Sequence, residues 1–564
     1  MTDPSLGETE ATSATTSAIP VQKAGSARTS VGRASAILAS GTLVSRVLGF
    51  VNAAVLAHAI GTFAAADAFS LANQLPNNIY SLVAGGLLSA VIVPQIVKAG
   101  LHDDGGQRFV NRLVTLGVSL FIPITVVAVL CAPLLTRLYG AGRADEATLQ
   151  LATLFAYWCL PQILFYALYS LVGETLNARG VFGPFTWAPV VNNVVVIGGT
   201  VLFMSLFGGD PAHRDPAGWS GAEISLLGAF TTGGIAAQAL VLFLFWRRAG
   251  LRFRPDFRWR GVGLGDTGRA AAWVFGIFLV SQVGGVVETN VALSASGENQ
   301  ASVTVLRYAW LMFMLPHSVA TVSIVTAYFT RMSEHVRDGD LPSVRRDLVS
   351  ALRLVLLIMV FSAVGLAVLA YPFSALVLPS YDSIAATAPV YMAYLLGLVS
   401  FTVFFVLLRV YYALDLVRVA FFIQIAQTAF YCLACLLIDT LVPDRWVAIA
   451  LALALGAALT LQAVLSALFL VRPLGGVGTR EVTLQGLWFL GAALPAAAAG
   501  VGLLALLGGV SEGAFPVSSP VGGAVTMVIA GGVMAVVYAA VLWVTRNPEL
   551  RAAAAPVLGR LRRR

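Results

Sequence analysis

Long apolar stretches dominate this sequence and constrain its fold more than any other feature. A membrane-spanning helix needs about 20 mostly apolar residues to cross the hydrocarbon core of a bilayer. Fourteen stretches meet this requirement. They lie at 34–60, 67–97, 110–136, 147–176, 184–207, 222–246, 270–295, 302–330, 350–378, 384–412, 417–440, 446–471, 483–508 and 522–545. We therefore predict an all-α polytopic membrane protein with about 14 transmembrane helices.

The composition excludes a large soluble domain. Charged residues make up 11% of the chain and hydrophobic residues 58%, whereas soluble domains carry about 25% charged residues. The sequence also has no glycine-rich phosphate loop, no His-Glu-x-x-His motif and no plausible nucleophile–base pair in a loop. We expect a transporter rather than an enzyme, with no metal and no cofactor; a coupling ion is left open.

The distribution of Lys and Arg predicts the orientation in the membrane. With the N-terminus placed in the cytoplasm, 28 basic residues lie on the cytoplasmic side, 4 on the opposite side and 3 within spans. Such an excess is the positive-inside bias of a correct topology, so both termini are predicted to be cytoplasmic. The net charge of +8 is then explained by basic residues on the cytoplasmic face of the membrane, and nucleic acid is not an expected partner.

The basic connector after the sixth span interleaves Arg with aromatic residues, from Arg247 to Arg269. A segment lying on anionic lipid headgroups accounts for this pattern. Gathering of an anionic lipid substrate is the alternative.

An internal repeat predicts how the spans are grouped. Leu-Pro dipeptides ending at Pro76 and Pro316 lie 240 residues apart, in the second and eighth spans, and the ends of the fourth and tenth spans match at nearly the same offset. Six spans per lobe would give both lobes one orientation, a parallel repeat about a pseudo-twofold axis. The predicted divisions are a disordered cytoplasmic tail (1–32), an N-lobe (33–247), a basic linker (248–268), a C-lobe (269–472), two extra helices (473–546) and a basic tail (547–564).

Arg46 lies in the middle of the first span. A charge at the bilayer centre costs about 2.5–3.5 kcal/mol on insertion scales, so such a residue usually faces a cavity or a partner. The alternative is an Arg that reaches the membrane interface from a helix end.

Other polar residues within spans are further candidates. Asp67 begins the second span, either as a first-turn acid favoured by the helix dipole or as a partner for a basic residue when a cavity closes. Glu288 and Arg307 could form an ion pair or contact a substrate or ion. His317 is expected to be a packing residue rather than a proton carrier.

Several of these residues stand in motifs of one family. Arg46-Val-Leu-Gly-Phe, Asp67-Ala-Phe, Gln-Leu-Pro76-Asn77 and Leu-Asn177-Ala-Arg-Gly resemble the MurJ (MviN) family. Arg409-Val-Tyr-Tyr-Ala-Leu resembles the tenth span of that family, and the resemblance covers about residues 35–470. Its members are lipid II flippases of the multidrug/oligosaccharidyl-lipid/polysaccharide exporter superfamily.

The resemblance implies a function in peptidoglycan synthesis at the bacterial plasma membrane. A flippase of this family moves an undecaprenyl-diphosphate-linked precursor from the inner to the outer leaflet by alternating access, driven by membrane potential or an ion gradient. The implied partners are lipid II or a similar polyprenyl-diphosphate lipid, membrane lipids and proteins of cell-wall synthesis. In the family, cationic residues of the N-lobe bind the diphosphate, and the lipid tail lies near the last two spans.

This sequence departs from the family at several cavity positions. Arg46 matches the first Arg of the family pattern, while other charged positions are replaced by Asn52, Tyr80, Gly85, Trp310 and Leu311. Arg307 lies one helical turn before Leu311, hence on the same face. We hypothesise that Arg307 supplies a second diphosphate contact, with Asn52 beside it. A flippase for another polyprenyl-linked glycan and a non-transporting scaffold of cell-wall synthesis are the alternatives.

Overall fold

The computed structural model describes residues 24–84, 106–140, 145–179, 181, 183–258, 268–295 and 303–551. Within these ranges the regular structure is helical. The α-helices are α1 (Ala24–Ile60), α2 (Ala64–Ala84), α3 (Gln107–Leu130), α4 (Ala132–Gly140), α5 (Glu146–Cys159), α6 (Gln162–Ala178), α7 (Gly183–Phe207), α8 (Gly221–Phe243), α9 (Gly268–Ser294), α10 (Val303–Pro316), α11 (Val322–Arg337), α12 (Leu341–Val368), α13 (Ala370–Ala375), α14 (Tyr381–Leu395), α15 (Leu398–Ala413), α16 (Val417–Leu441), α17 (Asp444–Leu474), α18 (Thr479–Leu506) and α19 (Pro520–Val544).

The predicted all-α membrane architecture is confirmed. Twelve helical stretches in the described part of the chain are long and apolar enough to cross a membrane, and the pair α14–α15, bent by 47°, makes a thirteenth. The remaining predicted span, 67–97, corresponds to α2, and its residues from 85 onward lie outside the described ranges.

Several spans are broken in the middle for identifiable reasons. Proline removes a backbone donor and disrupts the helix before it, and Pro316 ends α10 at a π-helical turn, His317–Thr321, which leads into α11. At the α14–α15 bend, a Cβ on Gly397 would lie 2.8 Å from the Cα of Gly456 on α17. Small residues allow such close approach between membrane helices.

Helix packing recurs with an offset of six spans, as the prediction of two duplicated lobes requires. In the first half α1 packs on α7, α7 on α8, and α2 on α5. In the second half α9 packs on α16, α16 on α17, and α10 on α14. The two remaining helices, α18 and α19, pack on each other and on α12 and α13 of the second lobe.

The structure describes part of each predicted tail. Helix α1 begins at Ala24, so regular structure extends into the region predicted as a disordered tail, 1–32, of which residues 1–23 lie outside the described ranges. At the other end, Asn547 is fully buried and its side chain accepts the backbone N–H groups of Glu549 and Leu550. Side-chain capping thus orders the first residues of the predicted tail, 547–564.

Candidate functional site: a polar cavity between the lobes

A cavity of about 950 Å³ lies between the two lobes. Helices α1 and α2 line it from the first lobe, and α9, α10 and α14–α17 line it from the second. A cavity at the interface of two structural repeats is where transporters of this kind of architecture bind their substrates.

Carboxamides supply much of the polar lining of this cavity. They are Asn52, Asn73, Gln74, Asn77, Asn78, Gln424, Gln427 and Gln462. An amide side chain both donates and accepts hydrogen bonds, so this lining suits hydroxyl, amide and phosphate groups better than an apolar ligand.

Arg307 places a cation in the cavity wall. Its Nη1 donates a 2.6 Å hydrogen bond to the backbone oxygen of Ser70 on α2, and Leu311, one turn later, lines the same cavity. The described residues contain no ion pair between Arg307 and Glu288. The guanidinium has five N–H donors, so one backbone contact leaves others for an anionic ligand.

Arg46 lies on α1, one helical turn before the cavity-lining residue Gly49. Its side chain is exposed at the surface of the helix bundle. Its charge is close enough to His317, on the second lobe, to act on that ring electrostatically. In the part of the chain that the structure describes, Arg46 forms no ion pair.

Asn52 lines the cavity itself. Its buried Oδ1 has no hydrogen-bond partner among the described residues. An unsatisfied buried acceptor costs free energy, so Asn52 is a candidate contact for a ligand that donates a hydrogen bond.

Glu288 contributes a carboxylate from α9 on the opposite side of the cavity. It lies beside Tyr431 and Tyr394, which also line the cavity. The second lobe thus places the Glu288 side chain next to two phenol groups. Arg307 is also on the second lobe, but its hydrogen bond goes to Ser70 of the first lobe.

Asp67 connects the two lobes at the end of the bundle that contains the α1–α2 turn, which we term the α1–α2 end. The side chain is fully buried, and its Oδ1 accepts a 2.7 Å hydrogen bond from the backbone N–H of Thr304. Thr304 is in the first turn of α10, where unpaired N–H groups and the helix dipole favour an anion. Asp67 therefore caps a helix of the other lobe, a role the sequence did not indicate.

Further hydrogen bonds close the interlobe space at the same end. The Thr304 hydroxyl donates to Ser70 Oγ at 3.0 Å, and the Thr62 hydroxyl donates to Ser383 Oγ at 2.9 Å. The Tyr308 hydroxyl donates to the backbone oxygen of Ala53 at 2.9 Å. Together with Asp67, these bonds hold α1 and α2 against α10 and α14.

The α1–α2 turn is fixed by Gly61. Its φ of 72° lies in the left-handed region that L residues with a Cβ rarely adopt. A Cβ at this position would also lie 2.6 Å from Asp210 Oδ1. The turn that carries Thr62 into the interlobe contact thus requires glycine.

The motif residues have different structural positions. Pro76 and Asn77 lie within α2, and Asn77 is an exposed cavity-lining residue. Pro316 marks the π-helical break, where His317 is buried against Phe401 and Phe405. Asn177 lies at the end of α6, away from the cavity-lining residues.

A group of amides on the second lobe escaped the sequence-based prediction. Gln424 donates to Gln427 Oε1 at 2.8 Å and to Thr428 at 3.1 Å, and Gln462 donates to Gln424 Oε1 at 2.9 Å. The spacing of Gln424, Gln427 and Thr428 could have indicated this group, since polar residues at positions i, i+3 and i+4 of an apolar helix share one face. Their contact with Gln462 on α17 depends on helix packing and could not be predicted from the spacing.

The profile of the family described as lipid II flippase MurJ matches residues 56–543. The chain belongs to this family. The resemblance inferred from the motifs is therefore confirmed, and the family is one of transporters rather than enzymes.

Individual relatives agree with this assignment. A probable lipid II flippase MurJ of Haemophilus influenzae is 28% identical over 444 residues, which cover 74% of this chain and 82% of the relative. A probable lipid II flippase MurJ of Rickettsia prowazekii is 23% identical over 396 residues, covering 68% and 73%.

Solved structures share the fold. A lipid II flippase MurJ in an inward closed conformation superposes with a TM-score of 0.68 at 18% identity, covering 90% of this chain and 99% of that one. An inward-facing multidrug transporter of the MATE family superposes with a TM-score of 0.61 at 14% identity, covering 78% and 95%. Transporters of two different families thus share this architecture.

Proposed function

We propose that this protein transports lipid II across the bacterial plasma membrane and that the cavity between the lobes receives the headgroup. The observation that carries the proposal is the interlobe cavity, with Arg307 in its wall and Arg46 one turn from it, in a chain of the lipid II flippase family. A diphosphate is a dianionic group that two guanidinium groups can bind through paired hydrogen bonds.

The two Arg residues approach the substrate from different lobes. Arg46 belongs to α1 and Arg307 to α10, so a diphosphate bound between them bridges the lobes. Asn52 and the other cavity amides offer hydrogen bonds to the polar headgroup that accompanies the diphosphate.

Alternating access supplies the transport cycle in this proposal. The hydrogen bonds of Asp67, Thr62 and Tyr308 close the α1–α2 end, which the charge bias orients toward the outer leaflet. Release of the substrate outward then requires these bonds to break. Membrane potential is a suitable driving force, since it contributes about 2.3 kcal/mol per charge per 100 mV; an ion gradient is the alternative.

Substitution of the cavity Arg residues tests the proposal. In cells that depend on this chain for wall synthesis, Arg46→Ala and Arg307→Gln should cause lipid II to accumulate in the inner leaflet. Loss of one charge-assisted hydrogen bond costs about 1.5–3 kcal/mol, so transport should fall about 10- to 150-fold.

Arg409→Gln provides the matched control. Arg409 also lies within a span, but its guanidinium packs over the rings of Phe405 and Phe329 at 4.6 and 5.8 Å and lies outside the cavity lining. It should retain transport at equal protein levels. A charge-neutral Arg307 variant that still transports lipid II would refute the assigned role of Arg307.

A second candidate is transport of another polyprenyl-linked glycan. It is favoured by the uncharged residues Tyr80, Trp310 and Leu311 at positions where the family pattern has charges. Trp310 instead stacks on Phe313, with ring centroids 4.8 Å apart. Normal lipid II distribution together with inner-leaflet accumulation of a different lipid-linked glycan would establish this alternative.

A further inference from the structure

The first part of the connector between the lobes, residues 251–258, is attached to the first lobe. It follows α8, and Gly250 turns the chain with a φ of 73°. Leu251 is buried in a cluster that includes Val110 and Leu113 of α3. We term residues 251–258 the linker segment.

Gln107, the first residue of α3, binds the backbone of the linker segment at two points. Its Nε2 donates to the backbone oxygen of Arg252, and its Oε1 accepts from the backbone N–H of Arg252 at 3.2 Å. One amide side chain therefore pairs with both backbone groups of one residue, as a neighbouring strand would.

Asp256 makes the second attachment. Its Oδ2 accepts from Arg112 Nε at 3.0 Å, and its backbone N–H donates to Thr115 Oγ1 at 3.1 Å. The backbone N–H of Arg258, followed by the Arg112 guanidinium, lowers the pKa of the Asp256 carboxyl. The anion is thus the form that holds the segment.

These attachments direct basic and aromatic side chains outward. Arg252, Arg254 and Arg258 are exposed, and Phe253 and Phe257 are 42% and 67% exposed. Large aromatic rings are unfavourable on a surface in contact with water alone. At the interface of a membrane, aromatic rings can contact the lipid while neighbouring cations stay at the headgroups.

The position of the linker segment fits that surface. It touches the first residues of α3, where one membrane-spanning stretch begins, and follows the stretch that ends at Ala249. Leu244, in the last turns before the segment, is 74% exposed. The segment therefore lies at the depth where apolar helices leave the bilayer.

We propose that the linker segment is a docking surface for anionic phospholipid headgroups, with the Arg residues on the phosphates and the Phe rings among the upper acyl chains. Each cation near an anionic surface contributes about 1 kcal/mol. Free phosphate would satisfy the cations but leave the rings in water, so the surface fits a lipid. The proposal is independent of which glycolipid the cavity transports.

Binding of fluorescent phosphatidylglycerol to the full-length protein in neutral detergent tests the proposal, with fluorescent phosphatidylcholine as the uncharged comparison. Arg252→Ala combined with Arg254→Ala should weaken phosphatidylglycerol binding by up to about 30-fold, two charges at about 1 kcal/mol each, and leave phosphatidylcholine binding unchanged. Phe253→Ser should weaken both lipids.

Asp256→Asn distinguishes lipid binding that needs the attached conformation of the linker segment from binding by net positive charge alone. The substitution makes the protein more positive, so charge alone predicts equal or tighter phosphatidylglycerol binding, whereas release of the segment predicts weaker binding. Gln107→Ala should also weaken phosphatidylglycerol binding, without a change in charge. It replaces Asp256→Asn in the test if that variant does not fold.

Arg337→Ala combined with Arg480→Ala is the matched control, since both residues are exposed and lie outside the linker segment. It should change binding less than threefold. The proposal is overturned if the control weakens binding as much as the linker variant. It is also overturned if Asp256→Asn and Gln107→Ala bind as tightly as the native chain, or if millimolar inorganic phosphate displaces the lipid.

Discussion

Asp67 offers the sharpest test of how the lobes are held together. Its carboxylate is fully buried and accepts the N–H of Thr304 in the first turn of α10. Asp67→Asn keeps the shape and an acceptor oxygen but removes the charge. Hydrogen bonds to charged groups contribute about 1.5–3 kcal/mol and neutral ones about 0.5–1.5 kcal/mol, so we expect the closed state to lose about 1.5 kcal/mol.

That loss corresponds to an approximately tenfold rise in the population open at the α1–α2 end. A Cys at Thr62 can report this population, because Thr62 is fully buried against Ser383 when the end is closed. With the four native Cys replaced, the labelling rate of Thr62→Cys by a soluble maleimide should rise about tenfold when Asp67→Asn is added.

Asp347→Asn is the control for this experiment. Asp347 is also a buried acid, but it pairs with Arg331 within the second lobe at 2.8 Å, so its loss should leave the labelling rate at Thr62→Cys unchanged. Equal rates with and without Asp67→Asn, or an equal rise in the Asp347→Asn control, would refute the proposed interlobe role of Asp67.

Two further predictions concern packing and pH. Gly397→Ala should destabilise the protein by about 1–3 kcal/mol, a typical cost of overpacking, because the new Cβ meets the Gly456 backbone. Gly491 has open space around it, so Gly491→Ala is the control and should leave the melting temperature unchanged or higher. Equal melting temperatures for the two variants would contradict the argument. The lowered pKa of Asp256 means that its contribution is complete above the ordinary carboxyl pKa of about 3.9 and is lost as the pH falls through the lower folded value. Hydrogen exchange, corrected for its intrinsic pH dependence, should show constant protection of residues 251–258 from pH 7 to 5 and loss below the ordinary pKa; loss already between pH 7 and 5 would argue against this attachment.

The spans were predictable because apolar length is a local property of the sequence. Lipid cannot satisfy backbone hydrogen bonds, so each sufficiently long apolar stretch becomes a helix whatever its neighbours do. The same argument identified Arg46 and Arg307 as unusual, since a charge within such a stretch is costly wherever the helix packs. Their proposed contacts with a diphosphate stay predictions.

The partners of these residues could not be predicted in the same way. Arg307 donates to the Ser70 backbone, and among the described residues it forms no ion pair with Glu288; Asp67 caps α10 through the backbone N–H of Thr304. Each contact joins residues more than 200 positions apart, and it depends on the rotation and crossing of two helices. Hydrophobic periodicity determines which residues are apolar, but it does not fix these angles.

The sequence by itself determined that the chain lies in a membrane, is helical throughout its spans and carries two similar six-span halves. It also placed a few charges where lipid alone could not accommodate them. Only the tertiary structure decided that Thr304 meets Asp67, that Gln462 meets Gln424, and that Gln107 holds the linker at Arg252. The physical reason is that burial in lipid acts on each segment separately, whereas a hydrogen bond between segments exists only after their packing has set its distance and angle.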